Sequence, residues 1–176
     1  GFYTGMSDMF FNREDDDPRT NAFEFLKVNK GDARVHGMEV NAGWGIGDEL
    51  VLQGGLVFQR ARHDQPEPNF GSLDFVRTPR RYGNLTMTWT NHRLGTLFAG
   101  LRYTGPMTVP HYAGFIAEDT LTNTPSFVTF DASVAYPVFA SGGRKLTLTF
   151  AGRNLTNAYQ RDVDQGPLRD SDYVYG

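Results

Sequence analysis

The sequence predicts an all-β fold: an antiparallel up-and-down meander, a partial transmembrane β-barrel holding about seven strands of a larger barrel. Three observations support it. Apolar and polar residues alternate with period two, as they do in a strand whose successive side chains point to opposite faces. The connections between these stretches alternate between short and long. Aromatic residues fall where the strands would meet the two surfaces of a membrane.

Composition narrows the classes. Only 39% of the 176 residues are hydrophobic while 14% are aromatic, and there are 20 glycines, which suits a sheet with two unlike faces better than a helical bundle. The net charge of -3 offers no basic patch for nucleic acid. Cysteine is absent, which removes disulfides and thiolate chemistry. No run of about 18 apolar residues marks a transmembrane helix. The first residue is Gly and no signal peptide is visible, so the N-terminus reads as a cut.

Residues 1–11 (GFYTGMSDMFF) are expected to form a strand, and residues 12–21 a polar loop with the acids Glu14, Asp15, Asp16 and Asp17. A solvated loop is the favoured reading of that run, since a calcium site would need the spacing of an EF-hand. Residues 23–44 are extended, interrupted by the turn-like Asn29, Lys30, Gly31 and Asp32; beyond it Met38, Val40, Ala42 and Trp44 oppose Glu39 and Asn41. After a tight turn at residues 45–48, Leu50, Leu52, Leu56 and Phe58 oppose Glu49, Gln53 and Gln59. Residues 63–78 contain Pro66 and Pro68 and read as a loop.

Leu85, Met87 and Trp89 then oppose Asn84, Thr86, Thr88 and Thr90. A turn at residues 91–94 leads to Leu97, Ala99, Leu101 and Tyr103, opposite Thr96, Gly100 and Arg102. Residues 105–125, with three prolines, read as a third long loop. The last hairpin spans residues 127–160. Val128, Phe130, Ala132, Val134 and Tyr136 share a face opposite Thr129, Asp131 and Ser133. Past Pro137, Ser141, Gly142 and Gly143, the residues Leu146, Leu148 and Phe150 oppose Thr147, Thr149 and Ala151. The alternation fails at Arg153 and Asn154, which marks a bulge or the end of the lipid-spanning part. Residues 161–176 form a polar tail.

Short connections fall near Gly45, Asn91 and Ser141, and long ones near Asp16, Pro66 and Pro110. A meander with one trimmed and one elaborated end is expected of outer-membrane barrels, with short periplasmic turns and long outer loops. Trp44, Trp89 and Tyr136 precede short turns and would form one interfacial girdle; Phe58 and Tyr103 would belong to the other. Seven strands cannot close such a barrel, because bacterial barrels have even strand numbers from eight upward and an open edge in lipid leaves backbone groups unpaired.

Three segments carry a family resemblance. Residues 28–39 (VNKGDARVHGME) place Asn29, Gly31, Ala33, Gly37 and Glu39 in step with an N-x-G-x-A-x-x-x-G-x-E strand. Residues 79–89 place Pro79 and Asn84 ahead of an alternating apolar run. Residues 153–159 (RNLTNAY) are similar to the x-N-L-[FT]-[DN]-x-x-Y segment of a penultimate strand. In this order the chain resembles the C-terminal part of the barrel of TonB-dependent receptors, plugged outer-membrane transporters of 22 strands.

The resemblance implies a fragment, residues 1–176, without plug domain or final strand, in the outer membrane of a Gram-negative bacterium. It implies active uptake of a scarce nutrient, a ferric siderophore, haem or cobalamin, driven by TonB. The partners implied are outer-membrane lipid and lipopolysaccharide, the receptor's own N-terminal plug, the TonB complex through the missing N-terminal part, and a metal-chelate or cobalamin-like ligand. The ligand would meet His111, Tyr112 and Phe115 in the third long loop and Arg77, Arg80 and Arg81 near the fourth strand. The plainer reading packs the histidine within its loop and pairs the arginines with lipopolysaccharide phosphates or with loop acids such as Asp74. Glu39 and Asp131 are expected to meet Arg34, Arg102 or Arg153. No catalytic pair, phosphate loop or metal-ligand spacing is visible, so neither an enzyme nor a cofactor is expected. A non-transporting porin or adhesin barrel and a soluble all-β ligand-binding module are the alternatives.

Overall fold

The computed structural model describes residues 1–17, 22–29, 31–111 and 117–159, and for residues 11–30 the backbone alone is considered. Eleven strands follow in chain order: β1 (Phe2–Met6), β2 (Phe10–Asp17), β3 (Ala22–Asn29), β4 (Ala33–Ile46), β5 (Leu50–His63), β6 (Arg81–Asn91), β7 (Gly95–Thr104), β8 (Thr108–His111), β9 (Thr120–Asn123), β10 (Phe127–Ser141) and β11 (Arg144–Gly152). Seven of them form one sheet in the order β1-β4-β5-β6-β7-β10-β11, each pair antiparallel. The expected meander is therefore the fold.

Two ribbons, β2–β3 and β8–β9, were not expected. They occupy the first and third long connections, at the same end of the sheet. The acidic run Glu14–Asp17 lies in β2, not in a loop. The physical reason is that a long connection must still satisfy its backbone N–H and C=O groups, and two arms that pair with each other do so without an apolar face. Alternation is the signal that finds strands in a wall, and a ribbon clear of that wall has no need of it.

The short connections have the chemistry their lengths demand. Ser141 pairs with Arg144, and the intervening Gly142 and Gly143 have φ of 57° and 76°. Both signs are positive, the requirement of the two-residue turn that matches strand twist. Between β6 and β7, the Asn91 side-chain oxygen accepts hydrogen bonds from the N–H groups of Arg93 and Leu94 at 3.0 and 3.1 Å, closing the turn locally. Gly95 follows with φ 95°, where a Cβ would collide with the Ala135 carbonyl of the neighbouring strand.

β10 continues past Tyr136, the residue expected to end it, as far as Ser141. Pro137 is tolerated there because β7, which starts at Gly95, no longer runs alongside to need a donor. On its other side the register with β11 shifts between Pro137 and Phe139. Phe139 thereby pairs with Leu146 and rejoins the apolar face below Tyr136.

The register puts the apolar residues in continuous rows. Ile46, Leu50, Trp89, Leu97, Val134 and Phe150 form one row; Trp44, Leu52, Met87, Ala99 and Ala132 form the next. These side chains face outwards. Trp44 is 68% exposed, Leu85 52% and Phe150 70%, and the buried hydrophobic residues among those described are only Ala33, Ala61 and Val109. An exposed apolar patch this large is foreign to a soluble monomer. It is what a wall facing hydrocarbon requires.

Candidate functional site

The other face carries the polar rows. Asn41, Gly55, Asn84, Arg102 and Thr129 form one; Gly43, Gln53, Thr86, Gly100 and Asp131 form another. A cavity of 560 Å3 opens on this side between Tyr82, Asn84, Phe98, Gly100, Arg102 and Asp131. Glu39 accepts a hydrogen bond from Asn41 Nδ2 at 2.7 Å, and Asp131 Oδ1 accepts one from the Asn154 N–H at 2.7 Å. Arg34 pairs instead with Asp64, at 3.6 Å. The expected network of inward acids with arginines is thus replaced, at these atoms, by shorter-range bonds to neighbours in sequence or register.

Above the rows the loops fold into an organised layer. The segment before β6 returns to the edge of β5: Phe75 N–H donates to the Ala61 carbonyl at 3.1 Å, and His63 N–H to that of Leu73 at 2.7 Å. The Phe75 ring stacks on His63 at 4.2 Å. His63 lies beyond the girdle residue Phe58, and burial there lowers its pKa below the ordinary imidazole value, a shift that nearby Glu67 partly opposes. The Glu67 carboxylate accepts bonds from the N–H groups of Asn69 and Phe70 at 3.0 and 2.8 Å, which fixes the loop tip.

The third long connection joins this layer. Thr124 is buried, and it exchanges two hydrogen bonds with Met107, one of them through its hydroxyl. Thr108 Oγ1 donates to Asn123 Oδ1 at 3.0 Å, and its carbonyl accepts from the Arg77 N–H at 2.7 Å. Arg77 therefore links the two loops through its backbone, at a φ of 57°. A cavity of 740 Å3 lies between them, lined by Gln59, Phe75, Pro79, Arg81, Met107 and Asn123 among others.

The sequence-predicted site residues separate accordingly. Arg80 and Arg81 line that cavity. Arg80 also binds Asp74, Nη2 to Oδ2 at 2.6 Å, the loop-acid pairing expected of it. His111 ends β8 and is 7% exposed. Tyr112 and Phe115 lie outside the described residues. Of the girdle residues, Trp44 and Trp89 each stand two residues before the end of their strands, and Phe58 and Tyr103 lie towards the long-loop ends of theirs. The Trp89 indole N–H also donates to Glu49 at 3.3 Å, anchoring its polar edge at the short-turn end.

Sequence reasoning missed Arg60 and Arg62, which join Arg80 on Asp74 at 3.5 and 3.3 Å. Their signal was present: both continue the parity of Leu56 and Phe58, so charge replaces hydrocarbon on one unbroken face. Of the two expectations at Arg153 and Asn154, a bulge or the end of the lipid-spanning part, the second holds. β11 ends at Gly152, and Asn154 and Asn157 take φ of 48° each. The segment is a turn clamped to β10, with Leu155 N–H donating to the Phe130 carbonyl at 2.7 Å and Thr156 Oγ1 to that of Val128 at 3.0 Å. Asparagine, which tolerates the left-handed region and bonds its own backbone, is what diverts the chain.

The family model for the TonB-dependent receptor-like β-barrel matches residues 1–155. The chain belongs to this family. No curated protein sequence matches it. Solved structures similar to it include the ferric-catecholate import receptor Fiu of E. coli K12, with TM-score 0.64 and 22% identity over 98% of this chain and 22% of that one. FpvA of P. aeruginosa, in complex with a heterologous iron-pyoverdine, matches with TM-score 0.64 and 14% identity over 95% and 21% of the two chains. The FrpB iron transporter of Neisseria meningitidis matches with TM-score 0.63 and 16% identity over 95% and 26%. At these identities the likeness is one of fold. The chain spans between a fifth and about a quarter of those receptors' length. TonB-dependent receptor barrels are outer-membrane transporters of Gram-negative bacteria, and the exposed apolar wall and one-sided loops are the features that place of work requires.

Proposed function

We propose that this chain forms part of the barrel wall and outer loops of an outer-membrane transporter that takes up a ferric siderophore, haem or cobalamin with energy relayed by TonB. The observation that carries the reading is the loop layer, joined by the Arg77–Thr108 bond and enclosing a 740 Å3 cavity between loops and wall, in a chain that the family model matches over residues 1–155. Iron-chelate uptake is the favoured branch, because the similar structures are an import receptor, a pyoverdine complex and an iron transporter. The cavity supplies flat apolar and cationic surface from Phe75, Met107 and Arg81, which suits a large chelate carrying negative charge. Within the whole receptor a plug would pack against the polar rows, and an N-terminal segment would engage TonB.

Growth tests this directly. The parent receptor, expressed in a strain lacking its own iron-chelate receptors, should restore growth on one class of ferric siderophore, on haem, or on cobalamin, and only while TonB is intact. Growth on none of them, or equal uptake without TonB, overturns the reading. Passive leakage of small sugars instead would identify a porin.

A further inference from the structure

Asp74 faces three arginines and hydrogen-bonds one of them. Its Oδ2 accepts from Arg80 Nη2 at 2.6 Å. Its Oδ1 lies 3.5 Å from Arg60 Nε and 3.3 Å from Arg62 Nε. That oxygen and Arg62 Nε are both closed off from solvent, yet neither makes a hydrogen bond. The attraction there is charge alone, without the directed bonds that make a desolvated ion pair strong. An incoming anion with several oxygens can give these guanidiniums the bonds that one carboxylate does not.

The three arginines are not equivalent. Arg62 and Asp74 are partners in an isolated antiparallel bridge, flanked by the His63 N–H bond to the Leu73 carbonyl and the Phe75 N–H bond to that of Ala61. In such a pair the backbone bonds lie to either side and the side chains stand closest. The backbone therefore sets this pairing. Arg60 and Arg80 line the 740 Å3 cavity, as Asp74 and Arg81 do, and keep 48% and 64% of their side-chain surface open. Arg62 stands outside that lining. The Arg80 carbonyl accepts from the Gln59 N–H at 2.8 Å, so its backbone is fixed and only the side chain need turn.

We propose that Asp74 stands in for the ligand's anionic group while the cavity is empty, and that loading exchanges the partners: Arg60 and Arg80 turn to the anion, and Arg62 alone keeps Asp74. Because Arg62 remains as its cation, Asp74 is not stranded when the other two leave. A ligand wins the exchange only with several negative oxygens, so Asp74 discriminates multiply charged anions from neutral chelates. Arg62 is a positioning residue that acts through Asp74. The proposal rests on the reading of this cavity as the ligand site.

Fluorescence quenching of the parent receptor in detergent tests it, with iron(III) tris-catecholate, a trianion, and the neutral iron(III) tris-hydroxamate as probes. Asp74→Asn should bind the trianion roughly tenfold more tightly than wild type, and Arg62→Gln roughly tenfold more weakly, because Asp74 then has only Arg60 and Arg80 to hold. In the Asp74→Asn background, Arg62→Gln should change that affinity by less than about twofold. Neither substitution should move the neutral complex by more than about twofold, since it carries no charge to compete. Additive effects on the trianion, the mark of two charges acting separately, overturn the proposal, as do parallel changes for both probes. Hydrogen exchange on wild type checks it without substitution: the Phe75 amide should stay as protected with the trianion bound as without it, because Arg62 retains Asp74. Faster exchange on loading overturns the proposal even where a variant fails to fold. Wild type that binds only the neutral complex overturns the proposal and leaves the ligand-site reading standing, whereas wild type that binds neither probe ends both.

Discussion

At Asn154 a single side chain decides where a strand stops. Its carboxamide donates to the Ala158 carbonyl at 2.8 Å and accepts from the Ala158 N–H at 3.0 Å and the Thr156 hydroxyl at 3.2 Å. Its own N–H reaches Asp131 on the neighbouring strand. Asn154→Ala removes the side-chain bonds and puts a residue with no such compensation at a φ of 48°. The expected cost is roughly 2–3 kcal/mol in urea unfolding of the folded barrel. Asn154→Gly, which keeps the backbone comfortable, should cost less, on the order of 1 kcal/mol. The same residue marks a limit of sequence reading. RNLTNAY pointed to the correct family, while the failed alternation at Arg153 and Asn154 left a bulge and a strand end both open, because a pattern records which residues recur and not which hydrogen bonds they choose. His111 and Arg80 show the matching limit for the site: side-chain chemistry nominated both, but only packing could say that one is buried and the other engaged with Asp74.

For the strands of the wall, the sequence was nearly sufficient. β4, β5, β6, β7, β10 and β11 each alternate over most of their length, since opposite faces meet media of opposite polarity and a residue there must declare its side. β2, β8 and β9 stand outside that constraint and were missed, and β3 was read as extended but not as one arm of a ribbon. The two faces of β6 give a paired test. Leu85 stands mid-strand on the apolar face and Thr86 beside it on the polar one, between Gln53 and Gly100. Leu85→Arg should destabilise the barrel by about 2–4 kcal/mol, the cost of a cation near the bilayer midplane. Thr86→Arg should change stability by less than about 1 kcal/mol. Folding into vesicles across a denaturant series measures both, and equal costs would show that the faces have been assigned the wrong way round.

For the whole molecule, the decisive property is which side is wet. Trp44 and Trp89 report it without mutation. In brominated-lipid vesicles the indoles of the parent receptor's wall should be quenched most when bromine sits near the headgroup end of the acyl chain, and least when it sits at the methyl end. Single-tryptophan variants keeping Trp44 or Trp89 would separate the two contributions. Insensitivity to bromine at every depth would restore the soluble-module alternative. Loop asymmetry and membership of a larger barrel were legible in the sequence, since each follows from one solvent boundary imposed on every strand. The convergence of Arg60, Arg62 and Arg80 on Asp74 was not, because it joins a wall strand to a loop and depends on where that loop returns.

The alternation of two- and three-residue turns with long connections has an evolutionary corollary. A pair such as β4–β5 or β10–β11 is closed by local contacts, enters and leaves the wall at the long-loop end, and presents the same polarity on the same side as its neighbours. Copying or deleting such a pair leaves every other strand's direction unchanged, whereas copying one strand would send the next long loop to the opposite compartment. The heritable unit of size change in this architecture is accordingly the hairpin, and lineages can widen or narrow the pore only in steps of two strands.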